Sequence, residues 1–251
     1  MDAIISDIHS NLEALSAVFE DIDRQKVDSI LCLGDVVGYG PQPVECVDLV
    51  RDRCRFVLLG NHDDALFHGA PDFNPIARQA IEVNRTMLRP SWLSMPKRRE
   101  RWRYLSELKP SHREGDILYC HASPRDPLRE YLLRPDIVFD PGKIRSNFEF
   151  VESVCFVGHT HQPGVMTEKL EFLIPADMGY RYRIPDEGRV IINVGSVGQP
   201  RDGDPRACYT LVDDSEIEFR RVPYDIAATQ KKIRELGTLH EMCATRLEVG
   251  K

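Results

Sequence analysis

The chain lacks a long apolar run, a CxxC pair, an excess of positive charge and any internal repeat or low-complexity segment. Its longest apolar stretches are of the order of Val57-Leu58-Leu59 and Val190-Ile191-Ile192, far short of the ~18–20 residues that cross a bilayer. No membrane association is expected. The opening residues Asp2-Ala3-Ile4-Ile5-Ser6 form a strand-like run with no basic leader before it, so the expected location is cytoplasmic. Seven cysteines make an odd number, and Cys32, Cys120 and Cys155 sit inside apolar runs. They read as buried reduced thiols and not as a disulfide framework. With 33 Lys and Arg against 40 Asp and Glu, the net charge is −7. Such a chain has no global field for wrapping nucleic acid, although a local patch stays open. The one notable basic cluster, Lys97-Arg98-Arg99-Glu100-Arg101-Trp102-Arg103, reads first as a solvated helix face and second as a phosphate-contacting rim. Ser123 and Ser196 have no Gly-x-Ser-x-Gly context, which argues against a serine nucleophile. Gly34-Asp35-Val36-Val37-Gly38-Tyr39-Gly40 has neither Walker nor dinucleotide-binding spacing.

What is present is an ordinary globular composition over 251 residues, 42% hydrophobic and 29% charged. We expect one domain over 1–251 with a helical insertion around 64–115, punctuated by Pro71, Pro75, Pro90 and Pro96. Strand-like runs at 3–6, 28–33 and 55–59 alternate with helical apolar spacing at 11–23 and 41–53. That alternation predicts βαβ units and a parallel sheet, with the polar residues after each strand gathered at one edge. Further runs at 116–120, 153–157, 164–168, 170–174, 190–194, 207–212 and 216–219 predict a second, mixed sheet. Residues 224–247 read as one amphipathic helix.

Five segments follow strand-like runs: Asp7-Ile8-His9, Gly34-Asp35, Gly60-Asn61-His62-Asp63, His121 and Gly158-His159-Thr160-His161. They hold five of the eight histidines. In extended backbone, residues i and i+2 project to one side, so Asp7 and His9 can share an ion. Carboxylate, imidazole and amide ligands suit Mn, Fe, Zn, Ni or Co, and the absence of Cys ligands argues against a structural zinc. Two such ions can clamp a phosphoryl group and acidify a bridging water. Their charge would dominate locally, so an acidic chain is compatible with an anionic substrate.

This ordered set resembles the calcineurin-like metallophosphoesterase superfamily, above all its small bacterial phosphodiesterase branch. The stretch from Asn193 to Gly203 extends the likeness, with Val194 standing where a proline is expected. The resemblance implies a four-layer α/β/β/α sandwich with two mixed sheets and a dinuclear metal site at the strand C-terminal edge. It implies Asp7, His9 and His161 on one metal, Asp35 bridging, and Asn61, His121 and His159 on the other. His62 would be no ligand but would face the scissile phosphate, oriented by Asp63. The implied activity is hydrolysis of a phosphodiester or phosphoanhydride of a small substrate, nucleotides included, by metal-activated hydroxide. A phosphomonoesterase or protein phosphatase is the alternative, and a catalytically idle metal-binding scaffold the third reading.

Around this set, Arg125, Arg201 and Arg206 could grip a second phosphate or a base, or form surface ion pairs; Arg201 is the strongest of them. Asn11 could contact substrate phosphate, with a helix N-cap as the competing role.

Overall fold

Short buried strands and amphipathic helices alternate through the first third of the computed structural model, which describes residues 1–213 and 215–251. β1 (Asp2–Ile5), α1 (Leu12–Gln25), β2 (Ser29–Cys32), α2 (Pro43–Arg53) and β3 (Phe56–Val57) follow in order. α1 buries Leu15, Val18 and Ile22 at helical spacing, and Lys26 stops it in the left-handed conformation. α2 starts on Pro43, where the missing N–H costs nothing.

α3 (Asn61–His68), α4 (Pro75–Leu88) and α5 (Pro96–Ser106) come next. α3 begins at Asn61 with Gly60 as its N-cap, so this helical stretch starts within the Gly60–Asp63 motif itself. It also ends earlier than the spacing suggested, because β4 (Ser111–Glu114) pairs with β5 (Ile117–Cys120). Ser-His-Arg-Glu is too polar to announce a strand, and β4 is a half-exposed edge.

α6 (Asp136–Phe139), α7 (Pro141–Phe148), β6 (Val154–Val157), β7 (Gly164–Thr167), β8 (Glu171–Leu173), β9 (Arg181–Arg183), β10 (Val190–Asn193), β11 (Ala207–Val212), β12 (Glu216–Val222), α8 (Ile226–Leu236) and α9 (Met242–Thr245) complete the described strands and α-helices. β12 runs three residues beyond the expected 216–219, since its last residues pair with β11. The single helix expected over 224–247 is broken. Gly237 adopts φ 66° and caps α8, and the chain folds back so that Cys243, Ala244 and Leu247 pack with Ile233, Ala77, Ala80 and Tyr39.

Two six-stranded mixed sheets have the orders β3-β2-β1-β11-β12-β9 and β4-β5-β6-β10-β7-β8. Period-two alternation distributes their side chains between layers. From β1, Ala3 and Ile5 join α1 and α2 in an outer core, while Ile4 enters the core between the sheets with Leu31, Phe156 and Ile192. From β6, Cys155 and Val157 face outward onto Ile144 and Phe148 of α7. Each fully buried aliphatic side chain is worth roughly 1.5–3 kcal/mol, which fixes strand register and hence the position of each strand end. The result is a four-layer α/β/β/α sandwich. Among the described residues no helix is long and apolar enough to cross a membrane.

β1, β2 and β3 run parallel in the first sheet, and β5, β6 and β10 in the second. Their C-terminal ends carry the loops with Asp7, Asp35, Asn61, His121, His159 and Asn193. Val194, in place of a proline, donates its N–H to Val157 O at 2.9 Å. A proline could not make this bond, so valine extends the β10–β6 ladder to the brink of the site.

Candidate metal centre

Asp7, His9, Asp35, Asn61, His62, His121, His159 and His161 are brought together from the two sheets, and all are buried. The loops join through main-chain and side-chain bonds: His159 N–H donates to Asp7 Oδ2 at 2.9 Å, and Ser196 Oγ to Asp7 O at 2.8 Å. A Cβ on Gly158 would lie 2.1 Å from Ser6 Oγ, and one on Gly60 2.1 Å from Asp35 Oδ1. Both glycines therefore permit the close approach of neighbouring strand ends.

Asp7 and His9 do share a cluster, with His161, but not through the extended backbone that the i, i+2 spacing suggested. Asp7, His9, Asp35, His159 and His161 have φ of 53°, 49°, 51°, 64° and 59°. Left-handed backbone at a non-glycine residue costs on the order of 1 kcal/mol or more, and it concentrates at functional sites. Sharp turns, not strands, aim these side chains.

Hydrogen bonds behind the rings set the tautomers. His9 Nδ1 donates to Val37 O at 3.0 Å, His121 Nδ1 to Leu33 O at 3.0 Å, and His161 Nδ1 to Gln199 O. Each turns its Nε2 inward, where the neutral ring presents a lone pair. His159 is reversed: Nε2 donates to Arg129 O at 3.2 Å, which leaves Nδ1 as the donor atom. Three sets of ligand-type atoms each lie within 4.8 Å: Asp7 with His9 and His161, Asp35 with His121 and His159, and His9 with Asp35 and His62. Asn61 Oδ1 is 3.0 Å from His121 Nε2. Asp35 Oδ2 stands between the halves, 3.7 Å from His9 Nε2 and 3.4 Å from His121 Nε2.

The residues fit divalent cations. Asp7 Oδ1 is buried without a hydrogen-bond partner. His9 Nε2 and His161 Nε2 lie 3.1 Å apart, and with both Nδ1 atoms donating, two lone pairs face each other, an arrangement that a cation relieves. The protein's own charges point the same way. Burial alone would raise Asp7 and Asp35, but neighbouring imidazoles hold both well below the carboxylate range. Burial alone would depress His121, but Asp35 outweighs it and pushes the ring up to about 9. The cluster draws positive charge.

His62 belongs to this cluster, with Nδ1 buried, unpartnered and packed against Gly38. Asp63 does not orient it. The Asp63 carboxylate accepts from Val37 N at 3.1 Å, Gly60 N at 3.1 Å and Val36 N at 3.3 Å. As the third helical residue of α3, it ties the Asp35 loop to the Asn61 loop. What packs on the His62 ring is aromatic: Tyr39 at 4.8 Å and Phe73 at 5.0 Å between centroids.

Among the expected substrate contacts, Asn11 is the N-cap. Its Oδ1 accepts from Ala14 N and Thr229 Oγ1, and Nδ2 donates to Gly198 O at 2.9 Å, so its groups are occupied. Arg125 pairs with Glu130 and Ser146 at the surface, and Arg206 with Asp204; neither is brought to the centre. Arg201 is. It donates to Gln199 Oε1 at 2.8 Å and lies 5.7 Å from the Tyr39 ring centroid. The basic cluster is the solvated face of α5, with Arg101 paired to Asp48 at 2.6 Å.

Sequence reasoning missed Tyr131, whose ring centroid lies 3.9 Å from that of His159 with the planes tilted by 36°. It missed Tyr39, edge-on to His9 at 4.9 Å, and Arg246, 5.7 Å from the Tyr39 ring. Tyr39 stood in the glycine-rich loop, and its left-handed φ of 49° among glycines was the available signal. Nothing local marked Arg246.

Residues 3–163 match the sequence profile of the calcineurin-like phosphoesterases. The chain is 37% identical over 260 residues to an uncharacterized protein of Methanocaldococcus jannaschii, covering 100% of this chain and 98% of that one. It is also similar to a crystal structure of a metallophosphoesterase from Sphaerobacter thermophilus, with TM-score 0.83 and 41% identity over 100% of this chain and 98% of that one. A hypothetical protein from Pyrococcus horikoshii shares the fold, with TM-score 0.73 and 18% identity over 100% and 99% of the two chains. With the matching profile spanning all five motifs, the chain belongs to the calcineurin-like phosphoesterase family.

Proposed function

We propose that the protein hydrolyses a phosphodiester or phosphoanhydride bond of a small substrate, nucleotides included, with two divalent cations drawn from Mn, Fe, Zn, Ni and Co. The observation that carries this reading is the convergence of buried carboxylate, amide and imidazole donors from five strand ends, with a hydrogen bond behind each of four rings that turns its other nitrogen inward. Asp7, His9 and His161 would hold one cation, Asn61, His121 and His159 the other, and Asp35 both. Cations held there supply Lewis-acid polarisation of phosphoryl oxygens and acidify water.

The remaining roles fall to the chain's own side chains. His62, outside both ligand sets, offers its ring to the leaving oxygen as the P–O bond breaks. Asp63 keeps the two ligand loops in register and acts as a positioning residue. Arg201 attracts the anionic substrate. Tyr131, Tyr39 and Phe73 crowd the rings of His159, His9 and His62, which supports a small substrate over a phosphoprotein. Free thiols, six of the seven buried, fit a reducing, cytoplasmic setting.

The test compares Mn-reconstituted protein on bis(4-nitrophenyl) phosphate, 4-nitrophenyl phosphate, a cyclic nucleotide and a dinucleoside polyphosphate. Faster turnover of a diester or anhydride than of the monoester is expected. Turnover of the monoester alone would make the protein a phosphomonoesterase, and turnover of none would make it a scaffold.

A further inference from the structure

Trp92, Leu93 and Met95 project from the connection between α4 and α5, 83%, 73% and 75% exposed. Pro90 and Pro96 flank them. Ser94 N–H donates to Ser91 O at 3.1 Å, and Ser91 N–H to Ser94 Oγ at 2.7 Å. Trp92 and Leu93 are therefore the two central residues of a closed turn, a convex position with no core to receive them. Arg99 donates to Trp92 O, and Arg98 to Thr86 O and Leu88 O, so guanidinium groups brace the base of the turn. Three large apolar side chains held out together form a patch, unlike a single exposed leucine.

Charge also sets this segment apart. The chain carries a net charge of −7, yet residues 83–99 contain no Asp or Glu and include Arg85, Arg89, Lys97, Arg98 and Arg99. Arg85 pairs with Glu82 at 3.4 Å, and Lys97 stands near Asp48, which Arg101 already holds at 2.6 Å. Arg89, Arg98 and Arg99 have no carboxylate partner among the described residues. An apolar tip thus rises from a base of uncompensated positive charge.

The short apolar runs of this chain exclude crossing a bilayer but not lying against one, which takes a few apolar side chains beside cations. Tryptophan favours the headgroup boundary, and the arginines complement anionic headgroups. Other partners match less well. A second copy meeting the turn across a two-fold would set the same cations face to face. Leu93 and Met95 offer a nucleic-acid base no ring to stack on. A convex turn is also small beside the ~1,200–2,000 Å² of a stable protein interface.

We propose that the 91–95 turn inserts Trp92, Leu93 and Met95 into the boundary of an anionic lipid surface, with Arg89, Arg98 and Arg99 on its headgroups. The docked protein lies on the membrane and does not span it. This holds whichever phosphoester the metal centre hydrolyses.

The chain has two tryptophans, and Trp102 packs on Phe67 with ring centroids 4.5 Å apart. Trp102→Phe therefore leaves Trp92 as the sole reporter. Its emission, and cosedimentation of the wild-type protein, are measured with vesicles of phosphatidylcholine alone and of an equal mixture with phosphatidylglycerol. The anionic vesicles should shift Trp92 emission to the blue and sediment the protein, and the neutral ones should do neither. Raising salt to ~0.5 M should weaken binding about tenfold. Trp92→Ala and, separately, Arg89→Glu should each weaken it about tenfold or more, with hydrolysis unchanged. Melting temperatures identify a variant that fails to fold, and Leu93→Ser then replaces Trp92→Ala. No binding to anionic vesicles, equal binding to both lipids, or unchanged binding in folded variants would overturn the proposal. A Trp92 shift that follows protein concentration without vesicles would overturn it in favour of a second copy. A shift with single-stranded RNA and none with vesicles would overturn it in favour of nucleic acid.

Discussion

At the floor of the centre, main-chain carbonyls fix the inward-facing imidazoles from behind, and Asp63 binds three amides of the loops that carry Asp35 and Asn61. At the rim, Tyr131, Arg201 and Arg246 are held by ring contacts and a few hydrogen bonds, and the Tyr131 side chain is exposed. The floor consists of left-handed turns packed at two sheet edges, where a displaced side chain disturbs both sheets. The rim consists of long side chains on loops and on the last turns of the chain, where rotamers can adjust. Floors of this kind are preorganised for one chemistry, whereas rims adapt to different substrates.

If the floor acts as a unit, its damage should be the largest and indifferent to substrate. Asp35→Asn removes the carboxylate that faces both halves, and activity should fall roughly 10³-fold on every ester, with metal content falling alongside. Metal analysis and rates on two esters check this; normal metal content with near-normal rates would break the comparison. His62 sits between floor and rim, so its effect should depend on the leaving group. His62→Ala should cost about 10²-fold on an alkyl or nucleoside ester and far less on a nitrophenyl ester, with metal retained. An equal loss on both, together with missing metal, would make His62 a ligand. The smallest effect should come from a group remote from both regions. Asp21 accepts from Tyr209 OH at 2.7 Å and from Arg220. Burial alone would raise its pKa, but these donors outweigh burial and hold it below the ordinary value. Its contribution is therefore present above the unfolded carboxyl pKa and lost as pH falls through the lower folded value. Asp21→Asn should cost about 1–2 kcal/mol at neutral pH, with the difference from wild type vanishing in strong acid and activity unaffected. Denaturant titrations across pH would show it.

Much of the floor was legible in the sequence because each ligand motif is contiguous and follows a strand, and strand ends of a parallel sheet share an edge. Alternation in residues 1–60 likewise revealed the first three strands and two helices. The partnership of Asp7 with His9 was inferred from the wrong backbone, since φ above zero at histidine and aspartate has no local signature comparable to glycine. The family resemblance implied that Asp63 orients His62, but side chains on consecutive helical residues diverge by about 100°, and Asp63 turns back to the Val36–Val37 amides. The rim was hardly legible. Arg246 reaches Tyr39 only because Gly237 breaks the last helix, and an isolated glycine late in an amphipathic pattern is compatible with either outcome. Arg125 was open to either a phosphate contact or a surface ion pair; Glu130 captures it, and Arg129, four residues on, supplies the carbonyl that orients His159.

The most direct test of the central claim, that the strand ends build a two-cation hydrolytic floor, is a manganese titration of chelator-stripped protein. Bound metal and hydrolysis of bis(4-nitrophenyl) phosphate are followed in the same samples. We expect no activity without metal, two ions bound per chain at saturation, and activity that rises with the second ion. Full activity in the stripped protein, or saturation at fewer than two ions, would contradict it.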